Sequence, residues 1–295
     1  MSRTPRSRLP PKLPEHGRER EVPAASPRPP SLREQLKQQH VAGRSLRFGR
    51  DEIVGVMRQL VHGTPATRVG LPPFAELTIA HVERAMHDVY GWEGDGPRAR
   101  IAPTRTIEGF TVACARMREV ASSGGRLAFA TTRPASLLPV YQRLVEHVDA
   151  AGATVLAARE TAPVGPSARR VRWIQRVAVL SDGATLFGED DLDAADEWLF
   201  TLARPDLVVA DRTFAGVAGA GGIETIAFAD LDSLALAVAA WQGRAIRIVP
   251  LDDRRPPDAY AGLLELLESL GSGPEDAPEA GEAARASGAT LPTGT

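Results

Sequence analysis

Cysteine is almost absent from this chain: its 295 residues include one, Cys114. A single thiol excludes a disulfide framework and any cysteine-rich zinc site. Lysine is scarce too, with 2 against 33 arginines, and no Gly-Lys-Ser/Thr sequence occurs. P-loop hydrolysis is thereby excluded. Gly216, Gly219, Gly221 and Gly222 lack the GxGxxG spacing, which argues against a dinucleotide fingerprint. No apolar stretch reaches the roughly 18 residues of a membrane span. The N-terminus has no apolar segment either, so neither a secretory leader nor a membrane partner is expected, and the reading is cytoplasmic.

What is present is charge, unevenly placed. The formal net charge is −2, yet residues 1–50 hold 12 basic and 4 acidic side chains, and residues 272–295 hold 4 acidic and 1 basic. Proline crowds the first thirty residues, where large apolar groups are rare. Such segments bury too little surface to offset their ordering entropy. The reading is a disordered basic tail over 1–44, one domain over 45–271 and a disordered acidic tail over 272–295. No aromatic is interleaved among the N-terminal arginines, so nucleic acid is not an expected partner.

Within the domain, apolar spacing predicts helices over 51–62, 73–90 and 106–120, making 45–122 mainly helical. From 123 to 271 the pattern alternates. β-rich runs at 126–130, 154–157, 206–210, 223–229 and 245–249 interleave with helical runs at 137–148, 192–202, 213–220, 234–241 and 260–270. This rhythm predicts an α/β, Rossmann-like three-layer fold with a mostly parallel sheet. Ser136 and Thr213 read as helix caps, with Pro139 in a first turn. The stretch from Val171 to Val179, then Asp182-Gly183 and 184–187, predicts an antiparallel hairpin.

Open parallel sheets bind ligands beyond the carboxyl ends of their strands. There the sequence places Thr131-Thr132-Arg133, Asp211-Arg212-Thr213, Asp230-Leu231-Asp232 and Asp252-Asp253-Arg254-Arg255. Arginine presents a planar fork to phosphate, and carboxylates suit a hard cation or a base. Plainer roles compete. Arg133 can be a solvated connector, Asp211, Asp230 and Asp232 helix caps, Asp182 a turn former and Asp252-Asp253 a charged loop. The six histidines (His16, His40, His62, His81, His87, His147) lie in tails or predicted helices and read as surface or packing residues.

Five blocks follow one another: Ser123 to Thr131, Val177 to Gly183, Pro205 to Asp211, Ile226 to Asp230 and Val249 to Asp253. Across 101–270 their order and spacing resemble a family of actinobacterial phosphatases. The resemblance implies phosphomonoester hydrolysis on small metabolites such as histidinol phosphate. The family pattern has Gly-His-Pro where this chain has Thr132-Arg133-Pro134, and Asp-His-Gly where it has Asp211-Arg212-Thr213. It has His-Thr-His where this chain runs from Leu186 to Asp190. The chain therefore reads as a divergent member that keeps the carboxylates and lacks the histidines. Arginine can hold phosphate but neither shuttles protons near neutral pH nor ligates metal.

Two expectations follow. In the first, the protein is a phosphatase acting on a small phosphorylated metabolite. Thr131, Thr132, Arg133, Arg212 and Thr213 hold the phosphate, Asp211 and Asp230 catalyse, and Asp230, Asp252 and Asp253 bind Mg²⁺. In the second, it is a catalytically inactive relative that binds a phosphometabolite as a regulatory module.

Overall fold

The computed structural model describes residues 30–94, 96–163 and 169–271. The basic segment through residue 29 and the acidic one from 272 lie outside the described residues. The first helix, α1 (Leu32–Gln38), falls inside the stretch that composition assigns to the basic tail, so the fold starts earlier than expected. The reason is local. The Ser31 hydroxyl accepts the Glu34 N–H, and the Glu34 carboxylate accepts the Ser31 N–H, a reciprocal cap.

After α1 come β1 (Gly43–Gly49), α2 (Arg50–Val61), a 3-10 turn at Pro65–Arg68, α3 (Ile79–Tyr90), β2 (Arg98–Ile101) and α4 (Pro103–Ser122). Strands β1 and β2 pair antiparallel as a separate two-stranded ribbon. Helix α3 begins at Ile79, not at residue 73. Its Thr78 hydroxyl accepts the His81 N–H, while the preceding Pro72-Pro73 segment stays out of helix.

The second part runs β3 (Arg126–Thr131), α5 (Pro134–Ala150), β4 (Thr154–Leu156), β5 (Arg170–Ile174), β6 (Val177–Ser181), β7 (Leu186–Phe187) and α6 (Leu192–Thr201). It continues with β8 (Leu207–Asp211), α7 (Arg212–Ala220), β9 (Thr225–Ala229), α8 (Leu234–Trp241), β10 (Ile246–Pro250) and α9 (Ala261–Gly271). The main sheet has the order β10-β9-β8-β3-β6-β5, with β4 beside the first half of β3 and β7 beside the end of β6. Strands β10, β9, β8, β3, β4 and β6 are parallel, and β5 and β7 run antiparallel to β6. The fold is Rossmann-like α/β. Helices α6, α7 and α8 pack in one chain of neighbours, and α4, α5 and α9 in another. Every residue of β6, β8 and β9 is buried, as strands covered on both faces must be. No helix among the described residues is long and apolar enough to cross a membrane.

Three local expectations need correction. The stretch from Val171 to Val179 is two strands, because the chain turns at Gln175 and Arg176, both with positive φ (47° and 67°). Neither is the Gly or Asn that usually marks such a turn. The Asp182-Gly183 turn does join β6 to β7, with the Asp182 carboxylate accepting the Ala184 and Thr185 N–H groups. Helix α5 starts at Pro134 after Arg133, so Ser136 is no cap and Pro139 lies inside the helix. Helix α7 likewise starts at Arg212, one residue before the expected Thr213 cap.

Helix α7 meets the 3-10 turn through Gly216: a Cβ there would lie 1.6 Å from the Val69 carbonyl oxygen. Backbone, not a flexible side chain, is in the way. Gly216→Ala is therefore expected to lose about 3 kcal/mol or more in denaturant unfolding. Gly55→Ala, in α2 with nothing within 4 Å of the new Cβ, is expected to be neutral or slightly stabilising.

Candidate functional site

The strand order reverses between β3 and β8. From β3 the chain moves outward to β4 and β6, then returns to β8 and proceeds the other way to β9 and β10. The carboxyl ends of β3 and β8 thus border the crevice where such sheets bind ligands. Thr131 ends β3 and Asp211 ends β8; Asp230 follows β9, and Asp252 and Asp253 follow β10. All five are buried. So are Thr132, Arg133, Arg212 and Thr213, so every expected site residue reaches this end of the sheet.

Asp211 is the N-cap residue of α7, but its side chain makes no cap bond. Its carboxylate instead accepts three bonds from the neighbouring strand end. Thr131 Oγ1 donates at 2.5 Å, the Thr132 N–H at 2.8 Å and Thr132 Oγ1 at 2.6 Å. Full burial pushes the Asp211 pKa above the usual carboxylate range, and the threonine hydrogen bonds and Arg133 pull against it. Thr131 Oγ1 also accepts the Arg133 N–H at 2.8 Å, which fixes the turn into α5.

Arg212 stands at a φ of 43°, in the left-handed region that a β-carbon disfavours. Three of its contacts hold it there. Nε and Nη2 donate to Asp190 Oδ2 at 2.8 and 2.6 Å, and Nη1 donates to Asp232 Oδ1 at 2.5 Å. Thr213 Oγ1 donates to the other Asp190 oxygen at 2.6 Å. Arg212 and Thr213 therefore grip a carboxylate of this chain with the groups the sequence assigns to phosphate. Arg133 is equally committed: Nη1 donates to the Gly188 carbonyl at 2.6 Å, and Nε lies 3.6 Å from Asp253 Oδ2 without a hydrogen bond.

Among the described residues, one set of potential ligand atoms comes together, from Asp230, Asp252 and Asp253, all within 4.8 Å of one another. Asp230 Oδ1 accepts its neighbour Leu231 N–H, and Oδ2 accepts Arg47 Nη1 at 2.7 Å. Asp252 Oδ1 accepts the Arg254 N–H. Among the described residues, none donates a hydrogen bond to either oxygen of fully buried Asp253. Burial, and then the charge of Asp232, push Asp253 up to about 7. Asp230 is also held well above the usual range, by burial and by the three other aspartates around it. Burial opposes ionisation of Asp232 as well, but Arg212, Arg47 and Arg254 together outweigh it and lower its pKa. The cluster sets six carboxyl groups (Asp190, Asp211, Asp230, Asp232, Asp252, Asp253) against four guanidinium groups (Arg47, Arg133, Arg212, Arg254).

A family model described as Phosphatase matches residues 27–270. The chain belongs to the phosphatase family. Phosphatase SCO2771 of Streptomyces coelicolor (strain ATCC BAA-471 / A3(2) / M145) is 32% identical to this chain over 160 residues, 52% of the chain and 60% of the relative. This phosphatase-family chain thus spans less than two thirds of that curated relative's length.

Sequence reasoning misses Arg47, Asp190 and the role of Asp232. Arg47 and Asp230 are 183 positions apart, and no local pattern announces their contact. Asp190 carries a faint signal: it sits in a Glu-Asp-Asp run behind a recognisable hairpin. His81, His87 and His147 lie in helices as expected, His62 at the end of α2 and His40 just after α1, while His16 lies outside the described residues. His81 stacks on Trp241, and His87 pairs with Asp88.

Proposed function

We propose that this protein hydrolyses a small phosphomonoester at the carboxyl end of the sheet, with Mg²⁺ held by Asp230, Asp252 and Asp253. One observation carries the reading: a fully buried aspartate, Asp253, with no hydrogen bond to either oxygen from the described residues, beside two further carboxylates. The guanidinium groups of Arg47, Arg133 and Arg254 stand 3.5–3.8 Å from it, and a hard cation with oxygen ligands would supply a direct contact. Bound there, it would neutralise charge on the phosphoryl oxygens.

The chain's own groups supply the rest. Arg133 and Arg212 hold the phosphate; Thr213 would turn its hydroxyl from Asp190 to it, and Thr131 and Thr132 would do so only by releasing Asp211. Arg212 would exchange Asp190 for the substrate, a swap of one planar anion for another. Asp211, whose burial raises its pKa, takes a proton from the attacking water. Helix α7 begins directly at Arg212, so its first N–H groups favour the anion as well.

The test is phosphate release from p-nitrophenyl phosphate and a panel of small phosphomonoesters, with and without Mg²⁺, with Asp211→Asn alongside. The expected result is Mg²⁺-dependent turnover that falls by about a hundredfold or more in the variant. Equal turnover in both proteins removes Asp211 from the mechanism. The second reading, a binding module without turnover, is favoured by one feature: Arg212 is fully ion-paired within the chain. It expects no phosphate release, but thermal stabilisation by a phosphorylated compound.

A further inference from the structure

The guanidinium group of Arg47 occupies the bridging position between two of the proposed cation ligands. Its Nη1 lies 2.7 Å from Asp230 Oδ2 and 3.5 Å from Asp253 Oδ1, and its Nη2 donates to Asp232 Oδ2 at 3.1 Å. A cation bound at about 2.1 Å through the same lone pairs competes with the Arg47 N–H donor for them. Two positive groups there would also repel each other in a largely water-free cluster.

Arg47 is built to leave. It comes from β1, in the two-stranded ribbon outside the main sheet. The β1–β2 register passes from Arg44↔Arg100 directly to Gly49↔Arg98, so residues 45–48 bulge from the ladder. Ser45 Oγ pins the bulge by accepting the Arg47 and Phe48 N–H groups. Bulges of this kind re-aim a side chain, here into a cluster formed by distant strands. The Arg47 side chain is 25% exposed, against 5% for Arg133 and 10% for Arg212. It also lines an open cavity of about 910 Å³ together with Arg50 and Arg98. A displaced guanidinium thus has a place to go, in a cavity lined by Arg50 and Arg98 and by the carboxylates of Asp51 and Glu52.

We infer that Arg47 is the chain's own stand-in for the cation, displaced when the metal binds and then free to hold the substrate phosphate. This rests on the proposed cation site. It makes metal and phosphate binding cooperative: the metal releases a phosphate-binding group, and the phosphate neutralises the released charge. A wild-type chain without metal would bind inorganic phosphate poorly, because its arginines are occupied.

Calorimetric titration with Mn²⁺, and with inorganic phosphate in the presence and absence of Mn²⁺, tests this on wild type, Arg47→Met and Arg47→Lys. Arg47→Met is expected to bind Mn²⁺ about tenfold more tightly than wild type and to lose the Mn²⁺-induced gain in phosphate affinity. Arg47→Lys, which keeps a cation on a flexible stem, should fall between them. Native circular dichroism of each variant confirms that a loss is not one of folding. Unchanged or weaker Mn²⁺ binding by Arg47→Met overturns the stand-in role. Tighter Mn²⁺ binding with the phosphate gain intact overturns the transfer to phosphate. If none of the three binds Mn²⁺, the cation site itself fails, and this inference with it.

Discussion

Asp253→Asn is expected to stabilise the metal-free protein at pH 8 and to abolish its thermal response to Mg²⁺. Asparagine matches aspartate in size, so packing is kept while a buried charge that accepts no hydrogen bond among the described residues is removed. The pH dependence follows from linkage. Below the ordinary aspartate value of 3.8, both folded and unfolded chains are protonated at this position and it contributes nothing. Between 3.8 and about 7 the unfolded chain releases its proton while the folded chain keeps it, so stability falls as pH rises. Above about 7 the loss is complete, at most roughly 4 kcal/mol. The variant's advantage should therefore be full at pH 8 and less than half as large near pH 5. His147 acts in the opposite sense. Partial burial and nearby Arg118 lower its pKa, so stability is lost as pH falls through the ordinary histidine range. Comparing variant with wild type at each pH cancels that contribution. Denaturant unfolding at pH 5 and pH 8 reads the difference; equal stabilities at pH 8 would show that Asp253 carries no such burden.

The second large effect is expected at Arg212. Its guanidinium is 10% exposed and binds two carboxylates, so Arg212→Ala leaves Asp190 and Asp232 without their principal partner. Removing one side of a buried ion pair is destabilising by about 3–5 kcal/mol, chiefly through the stranded charge. In a domain of this size that corresponds to a fall in Tm of about 10 °C. Arg212→Lys should recover part of it, since an ammonium cannot reproduce the two-pronged contact with Asp190. Arg254 is the internal comparison. It is 46% exposed and reaches Asp232 and Asp253 only at 3.5 and 3.8 Å, so Arg254→Ala should cost less than about 1 kcal/mol. Similar losses at the two positions would mean that the Arg212 network is not what holds the β8 and β9 ends together.

The parts of this fold that were legible in the sequence are those set by local pattern. Strands β3, β8, β9 and β10 are short apolar runs between helices, and α8 spans the expected residues 234–241. Their carboxyl ends could be read as a meeting place because parallel topology sends them to one rim. The misreadings have physical causes. Apolar spacing at Phe74 and Leu77 imitates a helix, but Glu76 between them takes a positive φ of 52°, which a helix does not allow. The turn at Gln175-Arg176 uses residues with no turn signature, so periodicity runs straight through it.

At the site, composition of the strand ends was legible but pairing was not. The threonines at 131 and 132 stood out as hydroxyl donors for phosphate, yet they donate to Asp211. Capping was the plain alternative for Asp211, Asp230 and Asp232. The structure sends Asp211 to β3, Asp230 to Arg47 and Asp232 to Arg212 and Arg47, and Ser233 is the N-cap residue of α8. What no local pattern could supply is the N-terminal contribution. Arg47 reaches the cluster because the Asp252 N–H donates to the Val41 carbonyl, tying the segment before β1 across the end of β10.

The cation's position tests the account most directly. Crystals grown with Mn²⁺ should show one anomalous peak in bonding contact with the Asp230, Asp252 and Asp253 carboxylates, with Arg47 turned away from Asp230. A peak elsewhere, or none, with Arg47 still bridging Asp230 and Asp253, would contradict it.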